Sequence, residues 1–278
     1  MKTKISILFV LLTISVGYGQ NSNLIGQLIE TNKDSIGFLQ IKTNSIFNSN
    51  QEISLLTLPK NSFNKFGFQF GYNKTELKTT SSFAKNKNAV AAINGGFFNM
   101  KNGGSVTYFE INDTVINRKK NQSPKKQLID SLMNGAIIIT KGSEIIIEPA
   151  NSEQYYESSE QESAVLITGP LLLLNSEKTE IPDSKFVNNR HPRTCLCTSK
   201  KSIVLITIDG RQKEADGMNL IETQKFLLSI GCINAINLDG GGSTTMWTKN
   251  RGVVNSPSDK SGERAVANAL LIMKKQHH

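Results

Sequence analysis

Asp239 is carried by a short apolar run (Ala235, Ile236, Leu238) straight into Gly240, Gly241 and Gly242, and then into Ser243, Thr244 and Thr245. A carboxylate held this way can serve as acid, base or nucleophile. Glycine lets backbone approach a ligand closely or take a positive φ. Successive N–H groups in such a turn can form a concavity for anionic oxygens, and the hydroxyls both donate and accept. The competing reading is a tight turn whose glycines only relieve crowding. A second apolar run ends the same way, in Asn94-Gly95-Gly96-Phe97-Phe98, and a third, Ile203–Ile208, ends in Asp209-Gly210-Arg211. Strand ends that repeatedly deliver a polar residue into glycine read as walls of one site.

The elements that must position these residues follow from periodicity. Ile233–Leu238 suits a buried central strand. Before it, Asn219–Ile230 predicts a helix, with Asn219 as cap, Glu222 three residues on, Leu220, Leu227 and Leu228 on one face, and Gly231 as the stop. Thr79–Asn88 predicts a short helix feeding the strand 89–93. Ser105–Val115 alternates as a strand pair turning at Asn112-Asp113, and Ala136–Ile147 predicts a hairpin through Gly142. Ala164–Leu174 reads as an apolar strand interrupted at Gly169-Pro170, and Lys200-Lys201 as a turn. Thr244–Thr248 and Arg251–Asn255 suggest a hairpin around Lys249-Asn250, and Ala265–Met273 a last buried strand after Arg264. Gln20–Phe70, with short alternations at Ile25–Ile29 and Ile53–Leu58, suggests edge strands and loops. Arg118–Lys126 reads as a solvated basic loop, and the acidic Ser152–Ser163 as a surface helix or loop. With no repeat and no linker, the expectation is an α+β fold: mixed β-sheets with flanking helices in a single compact domain.

The chain has 278 residues and a formal charge of +9. Lys2 and Lys4 precede the apolar run Ile5–Val16, and Gly17-Tyr18-Gly19 follows, the pattern of a secretory signal peptide. The run is shorter than the roughly 20 residues of an anchoring helix. The expected organisation is therefore 1–19 as leader, 20–87 as N-terminal strands and loops packed on the main domain, and 88–278 as the main domain, in an exported protein, periplasmic or secreted. Without Lys2 and Lys4 the charge falls from +9 to +7. Such a balance suits anionic polymers, and equally suits simple solubility. No basic block with interleaved aromatics appears, which argues against nucleic acid. Cys195, Cys197 and Cys232 are the three cysteines; one of the first two could pair with Cys232, or all could be small buried apolar side chains. The only internal histidine is His191, so zinc is not expected. The oligomeric state is left open.

Asn94-Gly95-Gly96-Phe97-Phe98, His191-Pro192-Arg193-Thr194, Asp209-Gly210-Arg211, Asn237 through Ser243 and Glu263-Arg264-Ala265-Val266 together resemble the phosphodiester glycosidase family. Its animal member, the lysosomal uncovering enzyme, removes N-acetylglucosamine from a phosphate that links it to mannose. The resemblance runs from about Asn88 to Met273 and is dense from His191 onward. Ala265 departs from it where many relatives carry proline, and Cys195 and Cys197 stand where small residues are common. It implies an exported hydrolase that cleaves the glycosidic C–O bond of a sugar-1-phosphodiester in a glycan or envelope polymer.

The residue chemistry agrees with that implication. Arg193, Arg211 and Arg264 suit phosphate oxygens, and Asn94 and Asn237 suit sugar hydroxyls, with Gly95, Gly96, Thr194, Gly240, Gly241, Gly242, Ser243 and Thr244 completing the expected substrate surface. Glycoside cleavage commonly employs two carboxyl groups; Asp209 and Asp239 are the expected catalytic pair, with His191 as a further acid or base. The two aspartates and the asparagines are also hard-oxygen ligands of the kind Mg²⁺ or Ca²⁺ takes. Because arginines already supply positive charge, no cofactor is expected to be required, with Mg²⁺ or Ca²⁺ as the alternative. The second functional reading is a binding or exopolysaccharide-assembly protein that keeps a sugar-phosphate pocket without turnover.

Overall fold

The computed structural model describes residues 8–13, 25–27, 29, 35–118 and 131–275. Three sheets enclose a common core. The largest has eight strands in the order Leu8–Thr13, Gly37–Thr43, Gln51–Pro59, Ser202–Ile208, Arg193–Thr198, Asn234–Asn237, Leu171–Leu174 and Glu177–Lys178. Every pair in it is antiparallel except the first, in which Leu8–Thr13 runs parallel to Gly37–Thr43 at the sheet edge. A second sheet orders Ile145–Pro149, Gly135–Thr140, Glu162–Thr168, Phe109–Ile111 and Thr114–Asn117. A third orders Gly252–Val253, Met246–Thr248, Ala91–Asn94, Asn268–Lys274 and Phe66–Tyr72.

Side-chain alternation along these strands divides the interior. Leu56, Leu196, Leu205 and Ile236 of the first sheet, Ile137 and Leu166 of the second, and Phe68, Ile93 and Leu270 of the third meet in the central cluster. The intervening residues face outward to separate covers. Leu55, Cys195, Ile206 and Ala235 pack under helix Leu220–Ser229 and its neighbours. Ala92, Trp247 and Leu271 pack under helix Thr80–Asn86. Burial on both faces explains why strands such as Ser202–Ile208 read as continuous apolar runs.

The helix Leu220–Ser229 carries the capping box that its sequence announces, with Asn219 and Glu222 reciprocally bonded, and Gly231 follows at φ 86°. Leu220 and Leu227 are buried, but Leu228 is 36 % exposed, because it lies off the stripe that faces the sheet. Ile53–Leu58, expected at an edge, lies inside Gln51–Pro59 between two partners, and all nine residues of that strand are buried. Ala164–Leu174 divides at Gly169-Pro170 into strands of two different sheets. The last run divides into Ala265–Val266, paired with Lys78–Thr79, and Asn268–Lys274. Most of the basic stretch Arg118–Lys126 lies outside the described residues; Arg118 itself pairs with Glu157 and Glu153.

Cys197 and Cys232 form a disulfide that ties the Arg193–Thr198 strand to the end of helix Leu220–Ser229, and Cys195 stays a buried free thiol. The bond spans 35 residues. Closing a loop of that size restricts the unfolded chain by roughly 4 kcal/mol in the chain-entropy account.

Candidate active site

Ser202–Ile208 and Asn234–Asn237 both pair antiparallel with the Arg193–Thr198 strand that lies between them. They therefore run parallel to each other and end at the same end of the sheet, flanking Pro192 and Arg193. Two strand spacings put their backbones roughly 9–10 Å apart. Sheet topology thus brings Asp209 and Asp239 to one end. Their side chains then diverge.

Asp209 is 1 % exposed. Its Oδ1 accepts from Asn255 Nδ2 at 2.8 Å and its Oδ2 from the Ser256 N–H at 2.9 Å. Asn255 in turn accepts from the Met246 N–H at 2.7 Å. The Asp209 carboxylate is committed to the segment that follows the Met246–Val253 hairpin, and this arrangement leaves it no open face for substrate. Burial pushes its pKa up to about 6 against the two hydrogen bonds that favour the anion.

Asp239 faces the other way, into the glycine turn. It keeps part of its surface exposed, accepts from the Gly240 N–H at 3.0 Å, and lies in the field of Arg264 and Arg211. Desolvation pushes its pKa up to about 6, and the Ser243 hydroxyl, Arg264, the Gly240 N–H and Arg211 act in the opposite direction. The expected nest of free N–H groups is not what the turn supplies. The Gly241 N–H donates to Pro192 O at 2.9 Å, and those of Ser243 and Thr244 donate to Gly240 O and Gly241 O at 3.2 Å each. The glycines serve close approach instead. Gly241 takes φ 61°, and a Cβ there would lie 3.0 Å from Arg211 Nη1. A Cβ on Gly242 would lie 2.1 Å from Arg264 Nη2 and 2.1 Å from Asp259 Oδ1. Two guanidinium groups rest on this turn.

Arg211 sits at φ 59° in an exposed bend, and its Nη2 lies 3.2 Å from His191 Nδ1. A guanidinium can only donate, so His191 accepts at Nδ1 and carries its proton on Nε2. Desolvation, then the charges of Arg193 and Arg211, lower the His191 pKa, favouring the neutral ring. Arg264 is held by Asp259 through Nε to Oδ2 at 2.8 Å and Nη2 to Oδ1 at 2.9 Å.

The remaining expected residues build the frame. Asn94 is fully buried. Its Oδ1 accepts from Thr194 Oγ1 at 2.7 Å and the Thr245 N–H at 3.1 Å, and its Nδ2 donates to Asp239 O at 2.6 Å. The Asp239 N–H donates to Gly95 O at 3.1 Å. Asn94 and Thr194 thus pin the third sheet to the first behind Asp239, with their polar atoms spent inside the protein. Gly95 and Gly96 are buried against Asn268, whose Oδ1 accepts the Gly96 N–H at 2.9 Å. Asn237 is fully buried and donates to Gly169 O and Leu238 O. Thr244 is 1 % exposed. Arg193, expected at phosphate, is 1 % exposed; it donates to the Met218, Phe186 and Asn189 carbonyls and stacks 4.8 Å over Phe186. Burial lowers its pKa to about 10. Its Nε and Nη2 are spent on backbone carbonyls.

Asp259, Asn255 and Asn268 escaped the sequence reading. Asp259 lies in the irregular stretch Ser256–Gly262, where no periodicity marks it, and only its five-residue separation from Arg264 could have suggested a pair. Among the described residues, no group of three or more His, Cys, Asp or Glu side chains converges as a metal site would need.

Fold and site define a β-rich unit with a carboxylate and two guanidinium groups around a glycine turn, at the end where two sheets meet. The phosphodiester glycosidase family matches residues 87–273, and the chain belongs to it. Human N-acetylglucosamine-1-phosphodiester α-N-acetylglucosaminidase is 30 % identical over 197 residues, covering 65 % of this chain and 36 % of that protein. An uncharacterised SPβ prophage-derived protein of Bacillus subtilis is 27 % identical over 213 residues, covering 72 % of this chain and 30 % of that one. The chain thus spans about a third of the length of these curated relatives. The catalytic domain of the zebrafish N-acetylglucosamine-1-phosphodiester α-N-acetylglucosaminidase superposes with a TM-score of 0.68 at 20 % identity, covering 88 % of this chain and 85 % of that one, so the fold is shared.

Proposed function

We propose that the chain is a hydrolase that cleaves the C–O bond between a sugar's anomeric carbon and the phosphate of a sugar-1-phosphodiester. The observation that carries this reading is the pair of guanidinium groups, Arg211 and Arg264, resting on the Gly241-Gly242 turn beside Asp239. A phosphodiester anion docked on the arginines places its sugar carbon toward the carboxylate. As the C–O bond lengthens, charge grows on the phosphate oxygens, where the arginines are strongest. Positive charge grows on the anomeric carbon, where Asp239 stabilises it or delivers water. Phosphate is a good leaving group, so one carboxylate and the neutral His191, with its Nε2–H, suffice without a second acid. Asp209 is left out of the chemistry. Family membership supports the glycosidase class, and the disulfide suits export to an oxidising compartment, with a glycan or envelope polymer as substrate.

The test is hydrolysis of an N-acetylglucosamine-phosphate diester in ¹⁸O-labelled water. Label is expected in the anomeric hydroxyl of the released sugar; label in the phosphate would make the protein a phosphodiesterase. Asp239→Asn is expected to lower kcat by about 10³-fold or more. Saturable binding with no sugar release across a range of sugars would favour the binding-protein reading instead.

A further inference from the structure

We propose that Asp259 is a positioning residue that fixes Arg264 on Gly242 in the orientation that receives a phosphate group. The proposal rests on the sugar-phosphate reading of the site. Asp259 takes the Nε–Nη2 edge of the guanidinium with both carboxylate oxygens, at 2.8 and 2.9 Å. This bidentate fork fixes the plane of the group and leaves Nη1 without a partner among the described residues. The pair lies where a side chain at position 242 would be, 2.1 Å from the Cβ that glycine lacks. Gly242 therefore makes room for the ion pair.

The frame behind it is equally constrained. Arg264 opens directly into Ala265–Val266, which pairs with Lys78–Thr79, and Glu263 accepts the Ser81 N–H at 2.9 Å. At the other end of the loop, Asn255 and Ser256 hang from Asp209, and Gln212 Nε2 donates to Ser256 O at 2.7 Å. The Gly262 N–H closes the loop on Asp259 O at 2.9 Å. A free arginine loses rotamer entropy when it captures an anion; one already held in its fork has less left to lose.

The sign of the effect separates this role from its rival. Asp259 is itself an anion close to the proposed phosphate position. If it only opposed the incoming charge, Asp259→Asn would tighten phosphate binding. If it orients Arg264, the same change weakens it. The probe is inorganic phosphate, titrated calorimetrically at pH 7.5 against wild type, Asp259→Asn, Arg264→Gln and the double variant, with thermal melts to establish folding. The expected result is about tenfold weaker binding in each single variant, with the double variant no weaker than Arg264→Gln, since one residue acts through the other. Gly242→Ala, which keeps both charges but occupies their space, is expected to weaken phosphate to a similar degree, and it serves where Asp259→Asn does not fold. Tighter or unchanged binding in Asp259→Asn, additive losses in the double variant, or no phosphate binding by wild type would each overturn the proposal. A wild-type protein that binds phosphate but releases no sugar from a diester would instead overturn the hydrolase reading alone.

Discussion

At the scale of single residues, the site depends on how two arginines tune one carboxylate. Desolvation raises Asp239 to about 6, while Arg264 and Arg211 pull it down. A carboxylate that must be ionised to act gives a rate that rises as pH climbs through this value. Neutralising either arginine removes a field that favours the anion, so the Asp239 pKa rises further. Arg211→Gln is therefore expected to move the acid limb of the kcat/KM profile to higher pH, besides weakening the substrate. A limb that stays in place or moves to lower pH would show that Arg211 does not act on Asp239. Arg193 is the contrasting case. Its Nε and Nη2 already donate to carbonyls in the interior. The motif that carries it shows a cation beside the site but not which way it turns, because that depends on the Phe186–Asn189 and Met218 segments packed around it.

At the scale of elements, Asp209 shows what a strand-end carboxylate can do without touching substrate. Both of its oxygens accept from the Asn255–Ser256 segment. In Asp209→Asn one oxygen becomes a donor and faces either the Asn255 amide or the Ser256 N–H, which are donors too. Leaving buried polar groups mismatched is expected to cost about 1–3 kcal/mol of stability, read as a lower urea midpoint with a full circular-dichroism spectrum. Strand and helix identities were legible where local rules act alone: the capping box at Asn219, the turn at Asn112-Asp113, the apolar run into Asp239. They failed where a pattern was erased by burial. Gln51–Pro59 is buried at every position, so it shows no alternation to distinguish centre from edge. The site was legible as a set of polar strand ends. The division between Asp239, open to the turn, and Asp209, Asn94, Thr194 and Arg193, spent on the frame, was not, because it is decided by contacts such as Asn94 to Asp239 that cross 145 residues.

At the scale of the whole molecule, buried carboxyls set stability and activity against each other. Asp209 is raised from 3.8 to about 6 by burial. The folded state thus holds a proton that the unfolded state gives up between those values. A group with its folded pKa raised contributes stability that is fully present below about 4 and is lost as pH rises through about 6. With about 1.4 kcal/mol per unit, Asp209 should make the protein about 1–2 kcal/mol more stable at pH 5 than at pH 7.5. Opposing this, the net charge of +9 at pH 7 grows as acid is added, and self-repulsion rises with it. The Asp209 contribution is isolated by urea unfolding of wild type and Asp209→Asn at both pH values. The stability gap between them is expected to be larger at pH 5 by that amount, since only wild type gains from the proton. Over the same interval Asp239 protonates and the rate falls, so the pH at which Asp209 contributes most to the fold is one at which the proposed chemistry is slow. A gap that is constant or narrower at pH 5 would show that Asp209 is ionised in the folded protein down to ordinary carboxylate values, and that its hydrogen bonds outweigh its burial.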